Sequence, residues 1–167
     1  MYVKVAGLEK ESIVDGKGIR YVIFAQGCPH KCKGCHNPIT HSFDGGCIYE
    51  VDELIKDIQS KAYVDGITCS GGECFEQAEA FAYIAERIKT TGKDVWAYSG
   101  YQYDYIFSHK EDKPFWGKLL QNVDVLVDGP YIEEQKDLSL CFRGSSNQRI
   151  IDVKKSLKEE KIVLANI

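Results

Sequence analysis

RYVIFAQGCPHKCKGCHN, residues Arg20 to Asn37, starts as an apolar, β-branched and aromatic run and ends as a loop crowded with cysteines. The run from Arg20 to Gly27 has the composition of a buried strand closed by a glycine. Cys28, Cys32 and Cys35 follow it at once. Downstream, Tyr49 to Ala62 sets Val51, Leu54, Ile55 and Ile58 at helical spacing. Asp65 to Gly72 (DGITCSGG) predicts a second strand closed by paired glycines, and Phe75 to Gly92 a helix with Gly92 as its C-cap. Lys93 to Gly100 predicts a third strand. Helical sequence from Tyr101 to Gln121, interrupted near Pro114, leads into a fourth at Val123 to Gly129.

Strands alternating with helices predict an α/β fold with a mostly parallel sheet, helices on the outside, and crossover connections. Loops after the C-terminal ends of such strands gather on one edge, where ligands bind. The cysteine loop, Ser70 to Gly72, Tyr98 to Gly100 and Val127 to Gly129 are all expected there. The pattern leaves open whether the sheet closes. A further strand is expected around Arg149 to Asp152, and KKSLKEEK (Lys154 to Lys161) reads as a solvated, mixed-charge face.

The chain has 167 residues, 44% hydrophobic and 28% charged, which predicts one ordinary globular domain over 1–167. A formal charge of -4 argues against nucleic-acid binding. The longest apolar run is about Tyr21 to Ala25, too short for a membrane span. The first residues, MYVKVAGLEKES, lack the apolar core of a secretory signal, so the expected compartment is the cytoplasm. Thiols stay reduced there, and a cysteine cluster reads as metal-binding or catalytic before it reads as disulfides. Of the seven cysteines, Cys47, Cys69, Cys74 and Cys141 are expected to be reduced, packed thiols.

For the trio, structural zinc wants a fourth protein ligand, and a Cys3His site would recruit His30, His36 or His41. An iron–sulfur cluster is held by thiolates. Three of them on a cubane leave one iron open to a ligand that is not protein.

The spacing of three residues and then two between the cysteines resembles the cluster motif of the radical S-adenosylmethionine enzymes. GKGIRYVIFAQGC (Gly16 to Cys28), followed by Asn37, resembles the signature of the activating enzymes of glycyl radical enzymes. SGGE (Ser70 to Glu73), WAYSGY (Trp96 to Tyr101), VDVLVDG (Val123 to Gly129) and RGSSNQ (Arg143 to Gln148) are similar to the branch that activates anaerobic ribonucleotide reductase. Two residues depart from the pattern. Gly34 stands before the third cysteine, where an aromatic residue is common, and Cys74 follows SGGE.

The resemblance implies a shortened, radical-SAM-type partial (β/α) barrel. It implies a 4Fe-4S cluster on Cys28, Cys32 and Cys35, with S-adenosylmethionine on the open iron. The reduced cluster would cleave that cofactor to a 5′-deoxyadenosyl radical, which would take a hydrogen from a glycine of the reductase large subunit. The electron donor would be a low-potential carrier such as flavodoxin or ferredoxin. Ser70, Gly71, Gly72 and Glu73 would offer a backbone edge to the methionine amino group, or else form a plain strand-to-helix turn. Tyr98 and Ser99 are candidates for ribose or methionine contacts, with routine turn chemistry as the alternative. Asp128 reads equally as a ligand for ribose or a cation and as an Asx turn before Gly129. Arg143 suits the methionine carboxylate. His36 and Asn37 suit hydrogen bonds to cluster or cofactor, or ordinary loop capping. Activation of another glycyl radical enzyme, action on a nucleotide precursor, and a zinc-stabilised interaction module are the competing functions.

Overall fold

The computed structural model describes residues 1–167. Its strands are β1 (Tyr2–Ser12), β2 (Arg20–Ala25), β3 (Cys47–Glu50), β4 (Gly66–Gly71), β5 (Asp94–Ser99), β6 (Val125–Asp128) and β7 (Arg149–Asp152). Its helices are α1 (Val51–Gln59), α2 (Ala78–Lys89), α3 (Tyr103–Ser108), α4 (Trp116–Asn122) and α5 (Val153–Glu159). All strands join one sheet in the order β3-β1-β2-β4-β5-β6-β7. The neighbours β2, β4, β5 and β6 pair in parallel, whereas β1 runs against both β2 and β3, and β7 runs against β6. The α/β expectation with a mostly parallel sheet holds. The sheet is open, with β3 and β7 as its two edges, and it is not a closed barrel.

The central strands are buried because helices cover them, and their near-continuous apolar runs reflect that. In β2 only Phe24 is partly exposed. Helix α1 buries Val51, Leu54, Ile55 and Ile58, the four residues whose spacing predicted it, and Glu50 caps its start by accepting from the Glu53 N–H. Helix α2 buries Phe81, Ile84, Ala85 and Ile88 in the same core. No helix is long and apolar enough to cross a membrane.

Three elements were not expected from the sequence: β1, β3 and α5. In β1, Val3 and Val5 are buried while its second half is largely exposed, so the alternating signal lasts only a few residues. Helix α5 overlaps the stretch read as a solvated face. Asp152 caps it, accepting from the Lys155 N–H at 2.9 Å, and its buried residues are only Val153 and Ser156.

At the N-terminal ends of the parallel strands, Arg20 is fully buried and acts as a clamp. It donates to Thr68 Oγ1 on β4 at 3.1 Å and to the Ile67 carbonyl at 2.6 Å, pairs with Asp94 at the start of β5, and lies over the Trp96 ring. A buried guanidinium needs such saturation to offset its desolvation. The opposite strand ends are left to carry the cysteine loop.

Candidate functional site

The cysteine loop leaves β2 through Gln26, which is buried and holds the returning chain. Gln26 Nε2 donates to the Ile39 carbonyl at 3.0 Å and to the Ser42 carbonyl at 2.6 Å. The Gly27 N–H donates to the Thr40 carbonyl at 2.8 Å, and the Cys28 N–H to the His41 carbonyl at 3.2 Å. These bonds close a loop whose two ends lie side by side. Within it the Cys35 N–H donates to the Cys32 carbonyl at 3.2 Å, and the Asn37 N–H reaches the Cys35 sulfur at 3.4 Å. Gly34, at φ +75°, makes a turn that suits a residue without a side chain.

The end of β4 is strapped to the same place. The Gly72 N–H donates to the Ala25 carbonyl at 2.8 Å and the Glu73 N–H to the Gly27 carbonyl at 2.9 Å. Gly71 has φ +87°, and a Cβ there would stand 2.6 Å from Phe24 Cα. Glycine is required on both counts. Below this turn Glu73 is completely buried. Its carboxyl oxygens accept from Ser99 Oγ at 2.9 and 3.0 Å, from the Gly100 N–H at 3.0 Å and from the Phe75 N–H at 3.1 Å, and His30 Nε2 lies 2.8 Å away. One side chain thus joins the cysteine loop to the ends of β4 and β5.

These loops enclose a cavity of about 110 Å³. Cys28, Cys32 and Cys35 line it together with His30 and His41. Gly71 and Gly72 come from β4, Tyr98, Ser99 and Gly100 from β5, and Gly129 and Tyr131 from the chain after β6; Gln148, just before β7, completes the wall. All seven cysteines are free. Burial raises the pKa of the Cys28 thiol.

The residues present fit an iron–sulfur cluster. The three thiols share one cavity, yet no three His, Cys, Asp or Glu side chains converge on a point where a single ion would sit. A cubane is gripped from its corners, so its thiolates stand farther apart than the ligands of one ion. The Asn37 N–H at the Cys35 sulfur is a hydrogen bond of the kind that supports a thiolate ligand.

Comparison with known proteins agrees with this chemistry. The family described as "4Fe-4S single cluster domain" matches residues 14–151. The chain is 34% identical over 146 residues to an anaerobic ribonucleoside-triphosphate reductase-activating protein of Haemophilus influenzae, covering 83% of this chain and 90% of that protein. It is 36% identical over 146 residues, with the same coverage, to the protein so named in Vibrio cholerae. Against the one from Escherichia coli K12 it is 33% identical over 144 residues, covering 81% of this chain and 90% of that one. The chain belongs to the anaerobic ribonucleoside-triphosphate reductase-activating protein family.

In this member of the activating-protein family the expected site residues are distributed unevenly. Gly71, Gly72, Tyr98 and Ser99 line the cysteine cavity. Ser70 lies just before its glycine edge, near the end of β4. Glu73 lies beneath that edge and is occupied by protein donors. Asp128 is buried, and both its oxygens are engaged: Arg149 donates at 2.6 and 3.0 Å and the Tyr103 N–H at 2.7 Å. Pairing with Asp128 raises the Arg149 pKa further. Arg143 is outside the cysteine cavity and lines an adjoining cleft with His36 and Tyr98; its Nη1 donates to the Gln148 carbonyl at 2.9 Å. Asn37 contributes its backbone N–H to the Cys35 sulfur.

Sequence reasoning missed Tyr131 entirely, and weighed His30 and His41 only as zinc ligands. Tyr131 packs beside Gly34, where a Cβ would come within 3.3 Å of its ring, and its ring centre is 5.1 Å from that of His36. An aromatic wall therefore stands next to the position where this family member has glycine. Of the four remaining cysteines, Cys69 and Cys74 are buried as expected, and burial pushes the Cys69 thiol up to about 12. Cys47 and Cys141 correct the expectation of packed thiols. Both are exposed, the first on edge strand β3 and the second on the loop before β7.

Proposed function

We propose that this chain is the activating enzyme of an anaerobic ribonucleotide reductase, acting in the cytoplasm as one domain on the reductase large subunit. Cys28, Cys32 and Cys35 hold a 4Fe-4S cluster whose fourth iron binds S-adenosylmethionine. Held by Cys28, Cys32 and Cys35 and reduced by a carrier such as flavodoxin or ferredoxin, such a cluster would supply the electron for reductive cleavage of S-adenosylmethionine, and through it the means to remove a hydrogen atom from a glycine of the reductase.

This chain's own residues do the positioning. The backbone edge at Gly71 and Gly72, free of side chains, accepts close approach by the methionine amino group. Tyr98, Ser99 and Tyr131 wall the nucleoside end. Arg143 and His36, in the adjoining cleft, stand where a carboxylate or an entering protein segment would pass. Glu73, held by four protein partners, keeps the cysteine loop fixed against the strand ends. Fixed donors in a partly enclosed site cost little reorganisation during reaction.

The observation that supports this reading most is the meeting of all three cysteines with three parallel-strand ends around one cavity. The test is to mix anaerobically reduced protein, S-adenosylmethionine and the reductase large subunit, and to record electron paramagnetic resonance. A glycyl doublet on the reductase with release of 5′-deoxyadenosine is expected. A colourless protein that holds one zinc ion and yields no doublet would replace this reading with an interaction module.

A further inference from the structure

In the whole chain only three buried side-chain nitrogen or oxygen atoms lack a hydrogen-bond partner: His41 Nε2, Tyr131 Oη and Arg143 Nε. His41 and Tyr131 both line the cysteine cavity. Buried polar atoms are nearly always satisfied, and an exception marks strain, catalysis or a missing bound group. Two of the three orphans thus belong to the walls of the cavity where a cluster is proposed to sit, and the third, Arg143, lines the adjoining cleft.

His41 is held in place by its backbone. Its carbonyl accepts the Cys28 N–H at 3.2 Å, and its own N–H donates to the Pro38 carbonyl at 3.2 Å. Gln26, buried beneath, clamps the chain on both sides of it through the carbonyls of Ile39 and Ser42. The His41 backbone is thereby set beside the first cysteine, while no thiol of the trio comes within hydrogen-bond reach of Nε2. Because His41 is among the residues lining the cavity, a group bound there can supply the missing partner, and the Nε2–H tautomer can donate to it. Cluster sulfides are such acceptors, and donors to cluster sulfur make reduction easier.

We infer that His41 is a positioning residue for the cluster: its Nε2–H donates to a cluster sulfide beside Cys28 and raises the reduction potential. His41 does not ligate iron, so the fourth corner stays open. This inference rests on the cluster assignment above.

The test compares reconstituted wild-type protein with His41→Phe, which keeps the ring and removes the donor, and His41→Gln, whose amide N–H reaches about as far as Nε2. Iron and sulfide content is measured first, then the midpoint potential by redox titration without S-adenosylmethionine, then cofactor affinity. Full cluster content, a lower potential in His41→Phe and a potential nearer wild type in His41→Gln are expected. Pulsed resonance on the reduced wild-type cluster should also show an exchangeable proton that His41→Phe lacks. An unmoved potential in a fully loaded His41→Phe overturns the inference, and so does a loss confined to cofactor affinity. If His41→Phe does not load, His41→Gln decides alone: a loaded cluster with a near wild-type potential and the exchangeable proton retained supports the inference, and a cluster lacking that proton overturns it. A wild-type protein that takes up no iron–sulfur cluster removes the underlying assignment instead.

Discussion

His30 Nε2 lies 2.8 Å from Glu73 Oε2, joining a residue of the cysteine loop to a fully buried acid at the end of β4. The same acid accepts from Ser99 and from the Gly100 and Phe75 N–H groups. Its side chain thus converts strand ends into a seat for the loop.

Glu73→Ala is expected to destabilise the cluster-free protein by about 3 kcal/mol, because several buried donors lose their acceptor together. Glu73→Gln, which keeps an acceptor oxygen, should cost less than half as much. Urea unfolding followed by circular dichroism measures both. Equal losses in the two variants would show that the hydrogen bonds are not what matters.

Cys32→Ala is expected to abolish cluster binding and leave the α/β core folded. Cys32 is only partly buried and lies outside the hydrophobic core. Iron analysis and far-ultraviolet circular dichroism of the same sample check this. Loss of both iron and secondary structure would indicate a structural metal instead.

Arg143→Ala is expected to weaken S-adenosylmethionine binding about tenfold, or about 1.4 kcal/mol, with iron content unchanged. The guanidinium lines the cleft next to the cysteine cavity, and its Nε is buried without a partner. Equilibrium binding to the reconstituted protein measures the effect. An unaltered dissociation constant would move Arg143 to the partner interface.

Asp57 gives a pH-dependent prediction away from the site. It accepts from the Tyr21 hydroxyl at 2.7 Å and pairs with Lys10 and Lys61, and these partners, the Tyr21 hydrogen bond foremost, lower its pKa from 3.8 to about 2. A carboxyl with a depressed folded pKa stabilises fully above its unfolded value and loses that contribution as pH falls toward the folded one. Asp57→Asn should therefore cost about 1 kcal/mol at neutral pH, and the difference should shrink between about pH 4 and pH 2. Denaturant unfolding across that range measures it. A difference that stays constant with pH would contradict the assignment.

Much of the parallel half of the sheet was legible, because strands buried on both faces carry unbroken apolar runs, as in Tyr21 to Ala25. Arg149 to Asp152 was also read correctly, although it is an antiparallel edge strand in which only Ile151 is buried. Strand β1 was not, since an antiparallel strand with a solvated face shows only alternation, and after Val5 the sequence turns to Gly7 and charged residues. Strand β3 has four residues, none buried, and its pairing with β1 comes from tertiary context. At the site, Gly71, Gly72, Tyr98 and Ser99 could be placed together because strand ends share an edge. The burial of Glu73 and Asp128 could not, because that depends on which donors the fold brings to them. Tyr131 carried no local pattern; only the packing against Gly34 reveals its place.

The central claim is a cubane held by three protein thiolates with its fourth iron open to S-adenosylmethionine. Mössbauer and pulsed resonance spectroscopy of iron-enriched, reduced protein, with and without isotope-labelled S-adenosylmethionine, tests it most directly. One iron distinct from the other three, coupled to the labelled amino nitrogen and carboxylate only when the cofactor is added, is the predicted result. A fourth iron already bound by a side chain of this chain, unmoved by the cofactor, would contradict the account.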